Sequence, residues 1–583
     1  MNTAEMNAVE IQTAAGLVRG VQRAGSAAFL GIPYAAPPVG ELRFAAPVPH
    51  PAWHGVLDAT SPGATPQRID GGDTTLVPEP SFPGESTLNV SVFTPSPAPA
   101  PAGAGLPVLV YIHGGGYTSG SAASPWYDGA GFNRHGVVTV NVSYRLGFDG
   151  FGWIEDAPLN RGVLDWLLAL EWVRDNIGRF GGDPARVTIA GQSAGGGAVL
   201  TLLSVPRAHP LFARAIVISG VATHLTPAVA EQTGRRLAEL AGVAPTRAGL
   251  GALTEEQILA EQPRATALPA GSPAGPLGEI ANTLVSGLPF GPVVDGDLIP
   301  LATVDAVLAG IGADKPLMLG STDHEFNFAM NDLTDELAGE DAAEMLVRLG
   351  VAAPAARAYA AAHDQRGTAD LLGQFASDRA IRGVMLQVAE ARTAVAADRA
   401  AAASVTLGVA ASVGVAVGRT ADAAPTWLWA FAWRSPTIGG ALHCLDLPFF
   451  FDALDAPRVA VLAGPAPSQR LADEVHGDAV AFINGGAPSW PAWAAGTPVE
   501  AQPVIRYESD PAGPTQASTE VGTAVSTAAA AEVSKVAATE VSKVAATVAA
   551  TAVSTVVSTV AATYAGARLA VAAEPATAPS QPA

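Results

Sequence analysis

One short segment constrains the fold more than any other part of the chain. Residues 187–190 (VTIA) are β-branched and apolar, and they lead directly into 191–197 (GQSAGGG), after which an apolar helix is expected from Ala198. A strand, a G-x-S-x-G turn and a helix in succession lift the hydroxyl of Ser193 above a sheet edge. The two glycines that flank the turn remove side chains that would collide with the neighbouring strand and helix. The segment therefore predicts a serine nucleophile on a sheet.

Other parts of the chain alternate in the same way between apolar strands and helical segments. Residues 108–112 (VLVYI) and 137–142 (VVTVNV) are predicted to be buried strands, and 165–180 have helical spacing. Near the N terminus, 9–11 and 17–21 predict a first hairpin. Alternation of this kind is typical of an α/β fold, with a mostly parallel central sheet and helices on both of its faces.

The composition narrows the class of function. With 32 Lys and Arg against 53 Asp and Glu, the net charge is −21. This excludes nucleic acid as the main partner, because phosphate binding needs clustered Lys and Arg. The one cysteine, Cys444, rules out a disulfide within the chain and a multi-cysteine metal site. The first 21 residues carry acidic groups and no long apolar run, so we expect a cytoplasmic location.

Low-complexity sequence marks the C-terminal end. Beyond residue 511 the chain is rich in Ala, Val and Thr, and the octamer EVSKVAAT occurs in tandem. Residues 544–567 carry no charge, but their Thr and Ser content makes a membrane span energetically weak. We therefore predict a catalytic domain over 1–511 and a disordered or loosely helical appendage over 512–583. An Ala/Val-rich patch at 400–417 is predicted to be a surface insertion.

A glycine run follows the strand predicted at 108–112. Residues 113–116 read HGGG. Attack of a serine on an acyl carbonyl creates an alkoxide, which needs N–H donors held ready near it. Consecutive glycines after a strand let backbone amides face the site without side chains in the way. We therefore interpret this run as an oxyanion-binding loop.

The serine needs a base, and among ten histidines one position fits best. In sheets of this type the chain order is serine, acid, histidine, which excludes every histidine before Ser193. His443 follows the apolar strand at 427–433 and lies in a loop of small residues, which lets the imidazole reach over the sheet edge. His476 lies in a helix with Asp and Glu and is interpreted as an exposed surface residue.

The base in turn needs an acid to orient it. The short strand at 316–319 (PLML) ends in a loop that contains Asp323 and Glu325. Both carboxylates qualify by order and placement, and the spacing leaves the choice between them open.

These segments together resemble the type-B carboxylesterases, the family of para-nitrobenzyl esterases and cholinesterases. The resemblance runs from about 16 to 511. It is carried by FLGIPYAAPPVGELRFAAP at 29–47, NVSYRLG at 141–147, NIGRFGGDPARVTIAGQSAGGG at 176–197, PVVDGD at 292–297 and the His443 loop. It implies an α/β-hydrolase fold, with helical insertions over the active site.

The resemblance also implies roles for individual residues. The family carries its acid as a glutamate at the position of Glu325, which decides against Asp323. Its oxyanion hole is built at the positions of Gly115, Gly116 and Ala194. A family serine that supports the acid matches Ser219.

The chain departs from the family pattern at several positions. The stretch at 85–92 lacks the cysteine that forms a disulfide in secreted relatives, which agrees with a cytoplasmic location. No aromatic residue occurs at 77–81, where cholinesterases carry a tryptophan, so choline esters are not expected to be preferred. The family's glycine after the catalytic histidine is Cys444 here, and we expect it to be a small buried side chain.

The implied activity is hydrolysis of a small-molecule carboxylic ester through an acyl-serine, with Ser193, Glu325 and His443 as the triad and without a metal or organic cofactor. Two alternatives stay open: an amidase or carbamate hydrolase with the same triad, and a non-catalytic binding relative. The sequence specifies neither the natural ester nor the oligomeric state. Candidates to line the substrate pocket are Trp126, Phe326, Phe328, Phe449, Phe450 and Phe451.

Overall fold

A mixed twelve-stranded β-sheet organises the part of the chain that the structure describes. The computed structural model describes residues 8–66, 75–99, 104–267, 288–413 and 423–508. These residues fall within one compact unit, Met1–Val525. The predicted appendage at 512–583 lies outside the described residues, so the domain boundary at 511 stays a prediction.

The strand order of the sheet is β1-β2-β3-β5-β7-β6-β8-β9-β10-β11-β12, and β4 pairs with β2. In chain order the strands are β1 (Ala8–Gln12), β2 (Leu17–Arg23), β3 (Ser26–Pro33), β4 (Val56–Asp58), β5 (Asn89–Thr94), β6 (Leu106–Ile112), β7 (Val138–Val142), β8 (Gly182–Gln192), β9 (Arg214–Ile218), β10 (Leu317–Thr322), β11 (Thr426–Phe431) and β12 (Val504–Tyr507).

The sheet has an antiparallel edge and a parallel centre. β1, β2, β3, β5 and β7 pair antiparallel, and the predicted N-terminal hairpin is confirmed, with Val9 opposite Gly20. From β7 to β12 every pair of neighbours is parallel, as predicted. In the central ladder, Val110 lies opposite both Val140 and Ile189. Because parallel strands end at the same edge, the loops after β6, β8, β10 and β11 meet there.

Helices cover this sheet. Within the described residues they are α1 (Ala130–Arg134), α2 (Gly147–Phe151), α3 (Arg161–Asn176), α4 (Ala194–Ser204), α5 (Pro227–Leu240), α6 (Arg247–Gly251), α7 (Glu255–Ala265), α8 (Thr303–Leu308), α9 (Thr334–Leu337), α10 (Ala342–Arg348), α11 (Ala353–Ala362), α12 (Thr368–Ser377), α13 (Gly383–Val413), α14 (Leu447–Phe450), α15 (Val459–Ala463) and α16 (Gln469–Ile483).

Both faces of the sheet are buried, which explains why its central strands are mostly apolar. Along β6, Val110 packs into one hydrophobic cluster with Trp166 of α3 and Leu200 of α4. The next residue, Tyr111, packs into a second cluster with Phe482 of α16. Successive strand residues point to opposite faces, so each face carries its own core. The predicted fold class is confirmed.

The helix after Ser193 begins earlier than predicted. We expected it from Ala198, but α4 starts at Ala194, directly after the serine. A side chain on Gly195 would place its Cβ 2.0 Å from the carbonyl oxygen of Ile112. A side chain on Gly196 would place its Cβ 2.7 Å from Cα of Gly220. The glycines therefore allow the helix to pack closely on the strands, and they do not delay its start.

The prediction for His476 is wrong. This residue lies in α16 but is only 2% exposed. Its Nδ1 is 2.8 Å from the carbonyl oxygen of Phe450, and its ring packs 4.4 Å from the ring of Phe132. The neighbouring acidic residues suggested an exposed position, but His476 lies on the buried face of α16.

The Ala/Val-rich patch at 400–417 is helical where it is described. It continues α13 as far as Val413, and 414–417 lie outside the described residues. Across the described ranges, no helix has both the length and the apolar character that crossing a membrane would require.

Candidate active site

The turn between β8 and α4 holds Ser193 in an unusual backbone conformation. Its φ is 59° and its ψ is −124°, a conformation that costs a non-glycine residue about 1–3 kcal/mol. The surrounding hydrogen bonds maintain it. The Ser193 N–H donates to the carbonyl oxygen of Ile218 at 2.9 Å, and the Gly197 N–H donates to the Ser193 carbonyl at 2.9 Å. A Cβ on Gly191 would lie 2.3 Å from the carbonyl oxygen of Gly195, so the turn closes only with glycine there.

A buried chain of hydrogen bonds leads from Ser219 to the predicted base. The Ser219 hydroxyl donates to Oε1 of Glu325 at 2.7 Å, and the Thr322 N–H donates to the same oxygen at 2.7 Å. The other carboxylate oxygen, Oε2, is 2.6 Å from Nδ1 of His443. Since the Glu325 side chain is fully buried, these bonds fix its orientation and point it at the imidazole.

The parallel pairing of β10 with β11 explains how residues so distant in sequence meet. The pairing brings the loops that follow the two strands together. An isolated bridge joins His324 to Leu442, and the His443 N–H donates to the carbonyl oxygen of Glu325 at 3.2 Å. The acid and the base therefore occupy adjacent loops at the same edge of the sheet.

Asp323, the other carboxylate that the spacing allowed, is engaged elsewhere. Its Oδ2 is 2.7 Å from a guanidinium nitrogen of Arg506 on β12. Its Oδ1 is 3.7 Å from a guanidinium nitrogen of Arg382. The structure thus places Glu325, and not Asp323, against His443.

The loop that carries Glu325 is hydrogen-bonded to a neighbouring helical segment. A π-helical turn, Asp378–Arg382, lies between α12 and α13. Arg382 in it donates to the carbonyl oxygen of Asp323 at 2.9 Å. Just before it, the hydroxyl of Ser377 accepts the N–H of Phe326 at 2.9 Å. π-Helical turns are rare and concentrate at functional sites. Together, this turn and Ser377 bond the backbone on both sides of Glu325.

The electrostatics of His443 favour its charged form. Burial by itself disfavours an imidazolium, but Cys444 and the Glu325 carboxylate outweigh it and raise the pKa of His443 well above its usual value. Cys444 is buried, as predicted, and has a φ of 72°, a value that favours glycine. A carboxylate on Nδ1 keeps the proton there and makes Nε2 the accepting nitrogen of the ring.

Gln192 is a residue of the site that the sequence analysis missed. Its Nε2 lies 3.1 Å from Nε2 of His443, and it is buried. Because Gln192 directly precedes Ser193, this contact places the second ring nitrogen of the imidazole at the serine turn. Its position inside G-x-S-x-G is the signal that could have indicated it.

The glycine loop after β6 lies beside the serine turn. Gly115 and Gly116 have φ values of 113° and 61°, which other residues rarely adopt. The Gly115 carbonyl accepts the N–H groups of Thr118 and Ser119 at 3.0 and 2.9 Å, so the loop folds into a tight turn. A Cβ on Gly114 would lie 3.0 Å from Cβ of Ser193. Three predicted oxyanion residues, Gly115, Gly116 and Ala194, are thus within or next to the segments that meet at Ser193.

Of the aromatic residues predicted to line the substrate pocket, Phe326 lies against the candidate triad. Its ring centroid is 5.0 Å from that of His443. Phe328, two residues on, is 36% exposed. Within the described residues, no three His, Cys, Asp or Glu side chains are grouped so as to hold a metal ion.

The other aromatic candidates belong to the core. Trp126 has no exposed surface, and its indole N–H donates to the carbonyl oxygen of Pro457 at 2.8 Å. Phe449, Phe450 and Phe451 pack in the second hydrophobic cluster with Tyr111. The prediction of these four residues as lining residues is wrong, because their side chains are at most 3% exposed and pack in this core.

Comparison with known proteins agrees with this architecture. The model of the carboxylesterase family matches residues 7–520. The para-nitrobenzyl esterase of Bacillus subtilis (strain 168) is 32% identical over 505 residues, covering 83% of this chain and 92% of that protein. The phenmedipham hydrolase of Pseudarthrobacter oxydans is 31% identical over 518 residues, covering 83% of this chain and 93% of that protein.

Solved structures lead to the same family. A carboxylesterase of Geobacillus stearothermophilus is 30% identical and has a TM-score of 0.67, covering 86% of this chain and 96% of that chain. A PNB esterase is 26% identical and has a TM-score of 0.66, covering 85% of this chain and 95% of that chain. The chain therefore belongs to the carboxylesterase family and is a carboxylic ester hydrolase with the α/β-hydrolase fold.

Proposed function

We propose that Ser193, His443 and Glu325 form the catalytic triad of a serine esterase, supported by Ser219. The observation that carries this assignment is the hydrogen-bonded chain from Ser219 through Glu325 to His443. It ends beside Gln192, the neighbour of the proposed nucleophile.

In the first half of the reaction, His443 Nε2 takes the hydroxyl proton of Ser193 as Oγ attacks the ester carbonyl. The imidazolium that forms carries its charge next to the Glu325 carboxylate, which stabilises it and holds the ring in place. Cys444 and this carboxylate, acting against burial, raise the pKa of His443. His443 then gives the proton to the departing alcohol, and an acyl-serine is left.

The carbonyl oxygen becomes an oxyanion during this step. We assign its donors to the N–H groups of Gly115, Gly116 and Ala194, each worth on the order of 10²–10³ in rate. The Ala194 N–H is at the N-terminus of α4, where the partial positive charge of the helix adds to the effect. In the second half, His443 activates a water, which releases the acid and regenerates Ser193.

The substrate class that we propose is an ester of an aromatic alcohol with a short or medium acyl chain. One support is the 32% identity with a para-nitrobenzyl esterase. Another is the apolar ring of Phe326 beside His443. Action in the cytoplasm stays a prediction from the sequence.

The assignment is tested with p-nitrophenyl and p-nitrobenzyl esters of increasing acyl length. Ser193→Ala is expected to lower kcat by about 10⁵–10⁶, since removal of such a nucleophile costs about that much. Turnover that survives this substitution would overturn the triad. A p-nitroanilide and a carbamate in the same series measure whether amides or carbamates are better substrates than esters.

A further inference from the structure

A segment outside the triad is bonded to the loop that carries the proposed oxyanion donors. Oε2 of Glu79 accepts the N–H of Gly120 at 2.8 Å. The carbonyl oxygen of the next residue, Pro80, accepts the hydroxyl of Ser121 at 2.8 Å. Two consecutive residues of one segment thus bind two consecutive residues of the other. We call Glu79 and Pro80 the strap.

The strap bonds to Gly120, and the backbone of Gly120 is in contact with the backbone of the glycine loop. A Cβ on Gly115 would lie 2.2 Å from the carbonyl oxygen of Ser119 and 2.8 Å from the nitrogen of Gly120. A Cβ on Gly120 would lie 2.2 Å from the carbonyl oxygen of Gly114. Because these backbones touch, a shift of Gly120 has to move Gly114 and Gly115 with it.

The start of the same loop is held by a separate contact. The Tyr144 hydroxyl donates to the carbonyl oxygen of His113 at 3.0 Å, and the two rings stack at 4.6 Å. The loop is therefore fixed at His113 by Tyr144 and at Gly120 by Glu79. Between these two points lie Gly115 and Gly116, the glycines to which we assign oxyanion donors.

We propose that Glu79 is a positioning residue that keeps the oxyanion donors aligned, a role that rests on the proposed function. Its carboxylate is a stronger acceptor for a backbone N–H than a neutral oxygen, by roughly a factor of two in bond energy. Partial burial of Glu79 raises its pKa, and the bond to Gly120 opposes that rise. Glu79 acts through Gly120 on the direction of the Gly115 and Gly116 N–H groups.

The test compares Glu79→Ala and Glu79→Gln in the full-length enzyme with a p-nitrophenyl ester. For Glu79→Ala we expect kcat to fall about ten- to hundred-fold with little change in KM, because misplaced donors weaken binding of the transition state more than of the substrate. Glu79→Gln keeps an acceptor oxygen and should restore kcat to within about three-fold of the wild type. The matched control is Glu85→Ala, since Glu85 is exposed in the same region.

A second readout separates positioning from a general effect on folding. Binding of a trifluoromethyl ketone, which forms a tetrahedral adduct, should weaken in Glu79→Ala by the same factor as kcat/KM. Ser121→Ala, which removes the bond between the Ser121 hydroxyl and Pro80, should lower kcat about three-fold in the same direction. If Glu79→Ala does not fold, binding of the same ketone is measured in Ser121→Ala and Glu79→Gln instead.

Ser193→Ala is assayed beside these variants. Turnover by Ser193→Ala would overturn the proposed triad and, with it, the role of Glu79. An inactive Ser193→Ala combined with a Glu79→Ala enzyme whose kcat stays within two-fold of the wild type would overturn the positioning role alone. Equal losses in Glu79→Ala and Glu79→Gln would also overturn it, because an acceptor oxygen would then not matter.

Discussion

The two halves of the active site are held by different means. The serine turn and the glycine loop meet through close backbone contacts, such as those that would put a Cβ on Gly195 2.0 Å from the carbonyl oxygen of Ile112, and side chains bond the loop near its two ends. The loops that carry Glu325 and His443 are held by side-chain bonds throughout, such as Ser219 to Glu325 at 2.7 Å and Glu325 to His443 at 2.6 Å. The first half should therefore be the more sensitive to added atoms, and the second half to the loss of polar groups.

Apart from Ser193→Ala, the largest effect is expected from Glu325, the proposed acid. Glu325→Gln keeps the size of the side chain but can no longer stabilise the imidazolium or fix the proton on Nδ1. We expect kcat to fall about 10⁴-fold, measured with a p-nitrophenyl ester. Asp323→Asn is the control, because Asp323 pairs with Arg506 and not with His443. Its loss should be less than about ten-fold, and a larger loss from Asp323→Asn than from Glu325→Gln would reverse the assignment of the acid.

The backbone-held half is tested by adding one methyl group. Gly195→Ala should force β6 and α4 apart, lower kcat about 10²-fold through a displaced Ser193 and lower the free energy of unfolding by about 1–3 kcal/mol. Kinetics and urea denaturation measure the two effects. Gly178→Ala is the control, since nothing lies within 4 Å of a Cβ there. Equal tolerance of the two substitutions would contradict the close packing that we infer.

Ser219 provides a smaller test of the side-chain-held half, the loops that carry Glu325 and His443. Ser219→Ala removes one of the donors to Glu325 and leaves the Thr322 N–H in place. We expect kcat to fall about ten-fold, because the carboxylate keeps a donor but loses part of its orientation. If kcat were unchanged, the support that we assign to Ser219 would be unnecessary.

The smallest effect concerns the pH profile. His443 has to be neutral to accept the serine proton, so activity is lost as the pH falls through its pKa. Since Cys444 and Glu325 raise that pKa above 6.5, the acid limb of kcat/KM should lie above pH 6.5. Glu325→Gln, which removes the carboxylate charge beside Nδ1, should move the limb to lower pH. A limb below pH 6.5 in the wild type would contradict the raised pKa of His443.

The backbone-held half could be predicted well from the sequence. Its signals are local: a strand run, the GQSAGGG turn and the HGGG loop are each continuous in the chain. The start of α4 was placed four residues too late because glycine is a weak helix former. What decides the helix start is the tertiary contact of Gly195 and Gly196 with strand backbones, which no local pattern contains.

The side-chain-held half could be predicted only in part. The order of the residues and the strand ends indicated His443 but left Asp323 and Glu325 open, and the family resemblance was needed to choose Glu325. The structure separates them by the ion pair of Asp323 with Arg506, a partner 183 residues away. The contact of Gln192 with His443 spans 251 residues and is likewise absent from any local pattern.

Labelling of the full-length enzyme with an organophosphonate, followed by peptide mass spectrometry, tests most directly whether Ser193 is the nucleophile, as we propose. We expect one adduct per chain, on the peptide that contains Ser193, with loss of activity in proportion to labelling and no adduct in Ser193→Ala. Inactivation with the adduct on another residue, or full activity in a fully labelled enzyme, would contradict it.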